Sequence, residues 1–263
     1  MSYDNVIYEI RGAHLAKVTI NRPHVLNAVD YASIVDLKGV FSEIAERTEI
    51  RAAMITGSGE KSFSVGADQS EIRLHAQDQD RAKAFEEISR QTFNLIEGLG
   101  RPSVCAINGY AFGLGLQLAL ACTFRIASST ARFGLPEINM GFFPSMGATQ
   151  RLARLVGEAK AMEMILTGEP IDAVEAYRIG LVNRTVPSAE LSAFVEQYAE
   201  SLAEKSPIAV RLAMDAIRHG NSMPLADGLA YEAKLADECA RSEDNREGRL
   251  AFAEKRKPQF KGR

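Results

Sequence analysis

The sequence predicts an α/β fold whose functional groups sit on glycine turns between strands and helices. Two observations carry this. Apolar runs of strand length twice lead through a glycine turn into a helical stretch: "RAAMIT" to "FSVGAD", then "SVCAI" through "NGYAFGLG" to "LQLALAC". After about residue 187 that alternation stops and the pattern is helical. Residues 1–190 therefore read as a core that carries the site, and 191–263 as a helical appendage.

Taken in order, "VIYEI" and "LAKVTI" flank Arg11 to His14 as a hairpin, and "NRP" stops strand pairing. Asp30 is placed to cap a helix in which Ile34, Leu37, Phe41 and Ile44 recur at helical spacing. "RAAMIT" is a buried strand ending at "GSGE", and the polar stretch through residue 84 reads as exposed helix. "SVCAI" is the second buried strand, followed by a helix, the strand "FRIAS" and the glycine- and proline-rich loop "GLPEINMGFFPSMG". Beyond it, Leu191, Phe194, Val195, Tyr198, Ala199 and Leu202 form an apolar stripe, and Ser206 with Pro207 opens the next helix in N-cap and first-turn positions.

With 263 residues, 46% hydrophobic and 25% charged, the chain has ample core for one large or two modest domains. A net charge of -3 gives no field for nucleic acid or an anionic membrane, and no apolar run reaches the ~18 residues of a membrane span. Three widely spaced cysteines support neither a disulfide framework nor a zinc site, and four scattered histidines lack metal-ligand spacing. With no basic leader before an apolar run, a reducing, cytoplasmic setting is expected. The basic tail "EKRKPQFKGR" reads, on its own, as a solvated helix end.

The glycine turns do not match nucleotide-binding motifs. Gly113 and Gly115 fit the start of a dinucleotide fingerprint, but Leu118 stands where the third glycine belongs, and Glu137 follows a proline instead of ending a strand. "GSGEK" lacks the spacing of a phosphate loop. Two turns remain, "SVGAD" and "AFGLG", each able to aim a backbone N–H at one spot as an oxyanion hole; the bland alternative is that the glycines only permit tight turns.

The segments "NRPHVLNAVD", "GEKSFSVGAD", "INGYAFGLGLQLALAC", "RFGLPEINMGFFPSMGATQRL", "AMEMILTGEPIDAVEAYRIGLVNRTVP" and "EGRLAFAEKRKPQF" together resemble the crotonase family, the enoyl-CoA hydratases and isomerases. The resemblance runs from about residue 6 to residue 260. It implies a spiral of ββα units, a C-terminal helical trimerisation region, assembly as a homotrimer or hexamer, and acyl-CoA thioesters as substrates, with no cofactor or metal beyond the CoA of the substrate itself. It also implies that Ala67 and Leu114 supply the oxyanion amides, that Gly66, Asp68 and Gly113 shape the substrate site, and that Phe252 and Lys255 approach the adenine end of CoA from a neighbouring subunit.

Three positions depart from the family pattern. Leu114 replaces a usual glycine and is expected to put bulk beside the thioester. Thr123 replaces a frequent aspartate. Gln117 stands where hydratases carry the first of two glutamates, the second being Glu137. Water addition calls for one group to deprotonate water and another to protonate C2, whereas a double-bond shift needs one base. With Glu137 alone, the expectation leans to an isomerase. A 2-enoyl-CoA hydratase and a non-catalytic acyl-CoA binder are the alternatives, and a bland role for Glu137 is a carboxylate at a helix start.

Overall fold

A computed structural model describes residues 3–263; Met1 and Ser2, at the start of the expected core, lie outside the described residues. The chain opens with the hairpin β1 (Val6–Arg11) and β2 (Leu15–Ile20), then α1 (Tyr31–Glu46). Asp30 caps α1 by accepting the Ser33 amide at 2.8 Å, and Ile34, Leu37, Phe41 and Ile44 are all buried.

Three strand pairs follow: β3 (Ala52–Gly57) with β4 (Ser62–Ser64), β5 (Ser103–Ile107) with β6 (Tyr110–Phe112), and β7 (Phe124–Ser128) with β8 (Arg132–Gly134). The first pair leads into α2 (Gln69–His75) and α3 (Gln79–Glu97), and the second into α4 (Leu114–Ala121). The first strand of each pair joins a six-stranded sheet ordered β1-β2-β3-β5-β7-β10, where β10 is Arg184–Val186. The second joins a four-stranded sheet ordered β4-β6-β8-β9, where β9 is Ile171–Asp172. Each ββα unit thus stacks on the last, giving the expected spiral.

β4, β6 and β8 have only three residues each. Three residues show no periodicity, so local pattern alone does not mark these segments as strands. The stacking of one unit on the next makes them strands.

The large sheet is buried on both faces, which explains its continuous apolar runs. One face joins the main core through residues such as Val18, Ile55 and Cys105. The other, with Leu15, Met54, Val104 and Ile126, is covered by α8 (Leu191–Ala203) through Leu191, Val195, Ala199 and Ala203. The stripe at 191–202 is therefore spent inside the chain, and the segment beyond residue 190 begins as part of the core packing.

Between the spiral and α8 lie α5 (Ala148–Val156), α6 (Glu158–Thr167) and α7 (Ala173–Arg178). The chain ends in α9 (Pro207–Gly220), α10 (Leu225–Arg241) and α11 (Glu243–Ala253). Ser206 caps α9 with Pro207 in its first turn. α10 buries none of its residues, and Leu225 and Leu229 stand exposed. Among the described residues no helix is long and apolar enough to cross a membrane.

Candidate active site

The two glycine turns meet. After β4, Ala67 forms an isolated parallel bridge with Val29, in which the Val29 amide donates to Gly66 O at 2.8 Å and the Asp68 amide donates to Val29 O at 2.9 Å. In a parallel bridge the flanking residues bond the partner, so the N–H of Ala67 itself points the other way. Leu114 occupies the first position of α4, two residues earlier than the sequence reading began that helix, where an N–H has no intrahelical partner. Among the described residues neither amide has a backbone acceptor.

A Cβ on Gly66 would stand 2.9 Å from Phe112 O and 3.2 Å from Leu114 N, and Gly66 has φ +102°. Only glycine lets the turns approach this closely. A Cβ on Gly113, at φ +50°, would stand 3.3 Å from Glu137 Oε1. The second turn therefore lies directly against a carboxylate.

Glu137 lies in a 3-10 turn, Pro136–Met140, and is 5% exposed. Its Oε1 accepts Gln117 Nε2 at 3.0 Å, whereas Oε2 is buried without a hydrogen-bond partner. Burial pushes its pKa above the ordinary carboxylate value, and its own backbone amide and Gln117 offset part of that rise. Gln117, fully inside α4, accepts the Met146 amide on Oε1 at 2.9 Å. A backbone N–H can only donate, so this contact sets which end of the amide is oxygen and turns the NH2 toward Glu137. Both ends of a buried amide are thereby partnered, which avoids a cost of about 1–3 kcal/mol.

Other expected site residues fall as follows. Leu114 is buried, 4% exposed, and packs in the main core. Asp68 caps α2 through Ser70 and pairs with Arg22 Nη1 at 2.8 Å; burial raises its pKa, but the Ser70 and Arg22 contacts outweigh this and hold it below the usual value. Phe252 is 88% exposed at the end of α11 and lines, with Phe260 and Arg249, a separate cavity of about 350 Å³. Lys255 follows with a left-handed φ of 54°. Neither shares a hydrogen bond with Glu137 or with the two turns.

The Met146 amide was not foreseen. A backbone group leaves no side-chain signature, and 29 residues separate it from Gln117. Among the described residues no group of three His, Cys, Asp or Glu is arranged to hold a metal ion. Two unspent amides and a carboxylate with one open oxygen are a constellation for stabilising an enolate and moving its proton.

Residues 11–263 match the family model for enoyl-CoA hydratase/isomerase. The chain belongs to this family. The short-chain-enoyl-CoA hydratase of Clostridium acetobutylicum is 41% identical, with all of both chains covered. The crotonyl-CoA hydratase of Syntrophomonas wolfei is 39% identical over 99% of each chain. Among solved structures, the enoyl-CoA hydratase of Bacillus anthracis superposes with a TM-score of 0.95 at 38% identity, covering 99% of this chain and 100% of that one. As an enoyl-CoA hydratase/isomerase family member, the protein is an acyl-CoA enzyme with the crotonase fold.

Proposed function

We propose that the protein adds water across the 2,3 double bond of a short-chain 2-enoyl-CoA, with Glu137 as both base and acid. The observation that carries this is the open, buried Oε2 of Glu137 beside two unspent backbone amides. The thioester oxygen takes the N–H groups of Ala67 and Leu114, which favour the charge that develops as the enolate forms. Glu137 removes a proton from water as the water oxygen attacks C3, and the electrons of the double bond move onto the thioester oxygen. The same Oε2 then returns that proton to C2 on the same face. One water is consumed and no other reactant is needed.

This reading revises the lean toward an isomerase. That lean assumed hydration requires two carboxylates. Gln117 instead holds one oxygen of Glu137 and leaves the other to carry a single proton in both directions, so lone-base chemistry no longer separates the reactions. Relatives about 40% identical over the full chain are named as hydratases, which supports this reading.

CoA enters as part of the substrate, with no separate cofactor. A homotrimer, or a hexamer of two trimers, fits the exposed apolar residues of α9 and α10 and would bring Phe252 and Lys255 of one copy to the adenine end of CoA on another. A cytoplasmic location suits such an enzyme.

The test is turnover of 2-enoyl-, 3-enoyl- and 3-hydroxyacyl-CoA esters, with C2 deuterium exchange followed in parallel. Crotonyl-CoA should give 3-hydroxybutyryl-CoA while 3-enoyl esters persist. Conversion of 3-enoyl to 2-enoyl ester without hydration restores the isomerase, and binding with neither turnover nor exchange makes the protein a carrier.

A further inference from the structure

A chain of hydrogen bonds runs from the surface to Glu137. Glu97, at the end of α3, accepts Arg151 Nη2 at 2.7 Å and Nε at 3.1 Å. Asn94 Oδ1 accepts the same Nη2 at 2.8 Å. The other arm of the guanidinium, Nη1, donates to Met146 O at 3.1 Å. The N–H of Met146 donates to Gln117, and Gln117 donates to Glu137. Both backbone polar groups of Met146 are thus committed, one outward to Arg151 and one inward to the Gln117 amide.

The turn is shaped for this clamp. Gly147 has φ +95°, and a Cβ there would overlap the Arg151 guanidinium. The Arg151 side chain, at the fourth position of α5, is only 14% exposed. Both donors to Glu97 converge on its Oε2, and such charge-assisted hydrogen bonds are stronger than neutral ones.

We propose that Arg151, anchored by Glu97, is a positioning residue for the proton-transfer step: it holds Met146 so that Gln117 presents its NH2, and never its oxygen, to Glu137. If Met146 shifts, the Gln117 amide loses the donor that selects its orientation. Glu137 then loses the hydrogen bond that favours its ionised form, and the pH at which it becomes an effective base moves upward. This rests on the reading of Glu137 as the base, and the experiment separates the two.

The probe is butyryl-CoA in deuterated buffer, whose C2 exchange reads proton transfer at Glu137 whether the enzyme hydrates or isomerises. Arg151→Met should lower kcat for exchange about tenfold with KM changed less than about twofold, as expected when a reacting group is misplaced without loss of substrate contacts. The acidic limb of the kcat/KM profile should move to higher pD. Glu97→Gln should move it the same way by less, and serves if Arg151→Met fails to fold. In a Gln117→Leu background, Arg151→Met should leave the limb where Gln117→Leu alone puts it, since both act through one amide.

A merely structural Arg151 would lower thermal stability and leave the limb unmoved, which overturns the proposal. Effects that multiply in the double variant overturn it as well. If Glu137→Gln is inactive while the Arg151 and Glu97 variants keep the wild-type limb, the clamp alone fails. Should Glu137→Gln retain full exchange, or wild type catalyse none, the reading of Glu137 fails first and takes the clamp with it.

Discussion

Two glutamates, one near each glycine turn, are equally buried and opposite in character. Glu71 on α2 is 4% exposed and Glu137 is 5% exposed. Glu71 Oε1 accepts the Tyr31 amide at 3.2 Å and Arg81 Nη2 at 2.9 Å, Oε2 accepts Arg81 Nε at 3.2 Å, and His75 Nε2 lies 3.4 Å away. Burial pulls its pKa up, but the Arg81 hydrogen bonds, the Tyr31 amide and the neighbouring positive charges outweigh it and hold the carboxyl below its ordinary range. Glu137 has one neutral side-chain donor, one open oxygen and a pKa raised by burial. Burial does not distinguish the carboxylate proposed as the base from the structural one; the number and charge of their partners do.

The largest expected effect breaks the catalytic side of this contrast. Glu137→Gln should lower hydration of crotonyl-CoA by about 10³-fold or more, within the range for loss of a general acid–base group. The same variant should be more heat-stable than wild type at pH 8. Because folding raises the pKa of Glu137, its favourable contribution is present below its unfolded value and lost as pH rises through the folded one. The gain in Tm should therefore shrink toward pH 4, and a gain that grows in acid would contradict the raised pKa.

Next is the proposed oxyanion hole beside it. Ala67→Pro deletes one donor and should lower kcat by about 100-fold. Ala67→Ser keeps the amide and should stay within a few-fold. Equal losses in both would show that the Ala67 N–H carries no charge in the transition state.

Gln117→Glu sharpens the comparison by placing a second carboxyl against Glu137. The new group must remain protonated to donate to Glu137, so hydration should change less than about tenfold and decline earlier as pH rises. A hundredfold increase would mean that the wild-type site lacked a needed second acid, and would revive the isomerase.

The smallest effect lies on the structural side. Glu71→Gln should cost about 1–2 kcal/mol at pH 7 through weakened charged hydrogen bonds, with activity per folded molecule unchanged. A carboxyl depressed by folding contributes stability above its unfolded pKa and loses it as pH falls through the folded one. The deficit of Glu71→Gln against wild type should thus vanish in acid, as followed by urea midpoints across pH.

The sequence by itself determined the α/β class, the capped α1 and α9, the buried strands of the large sheet and the two glycine turns, because each rests on local rules: periodicity, cap chemistry and the backbone freedom of glycine. Motif order placed Ala67, Leu114, Gln117 and Glu137 in one family pattern. Only the tertiary structure decided that β4, β6 and β8 are strands, since three residues pair only when another unit stacks beside them. It also spent the stripe of α8 on the large sheet. The partner of Gln117 is the clearest instance. An amide at position 117 can donate or accept, and no local rule says which; the choice falls to the Met146 N–H, which folding brings across 29 residues to a place where only an oxygen can meet it.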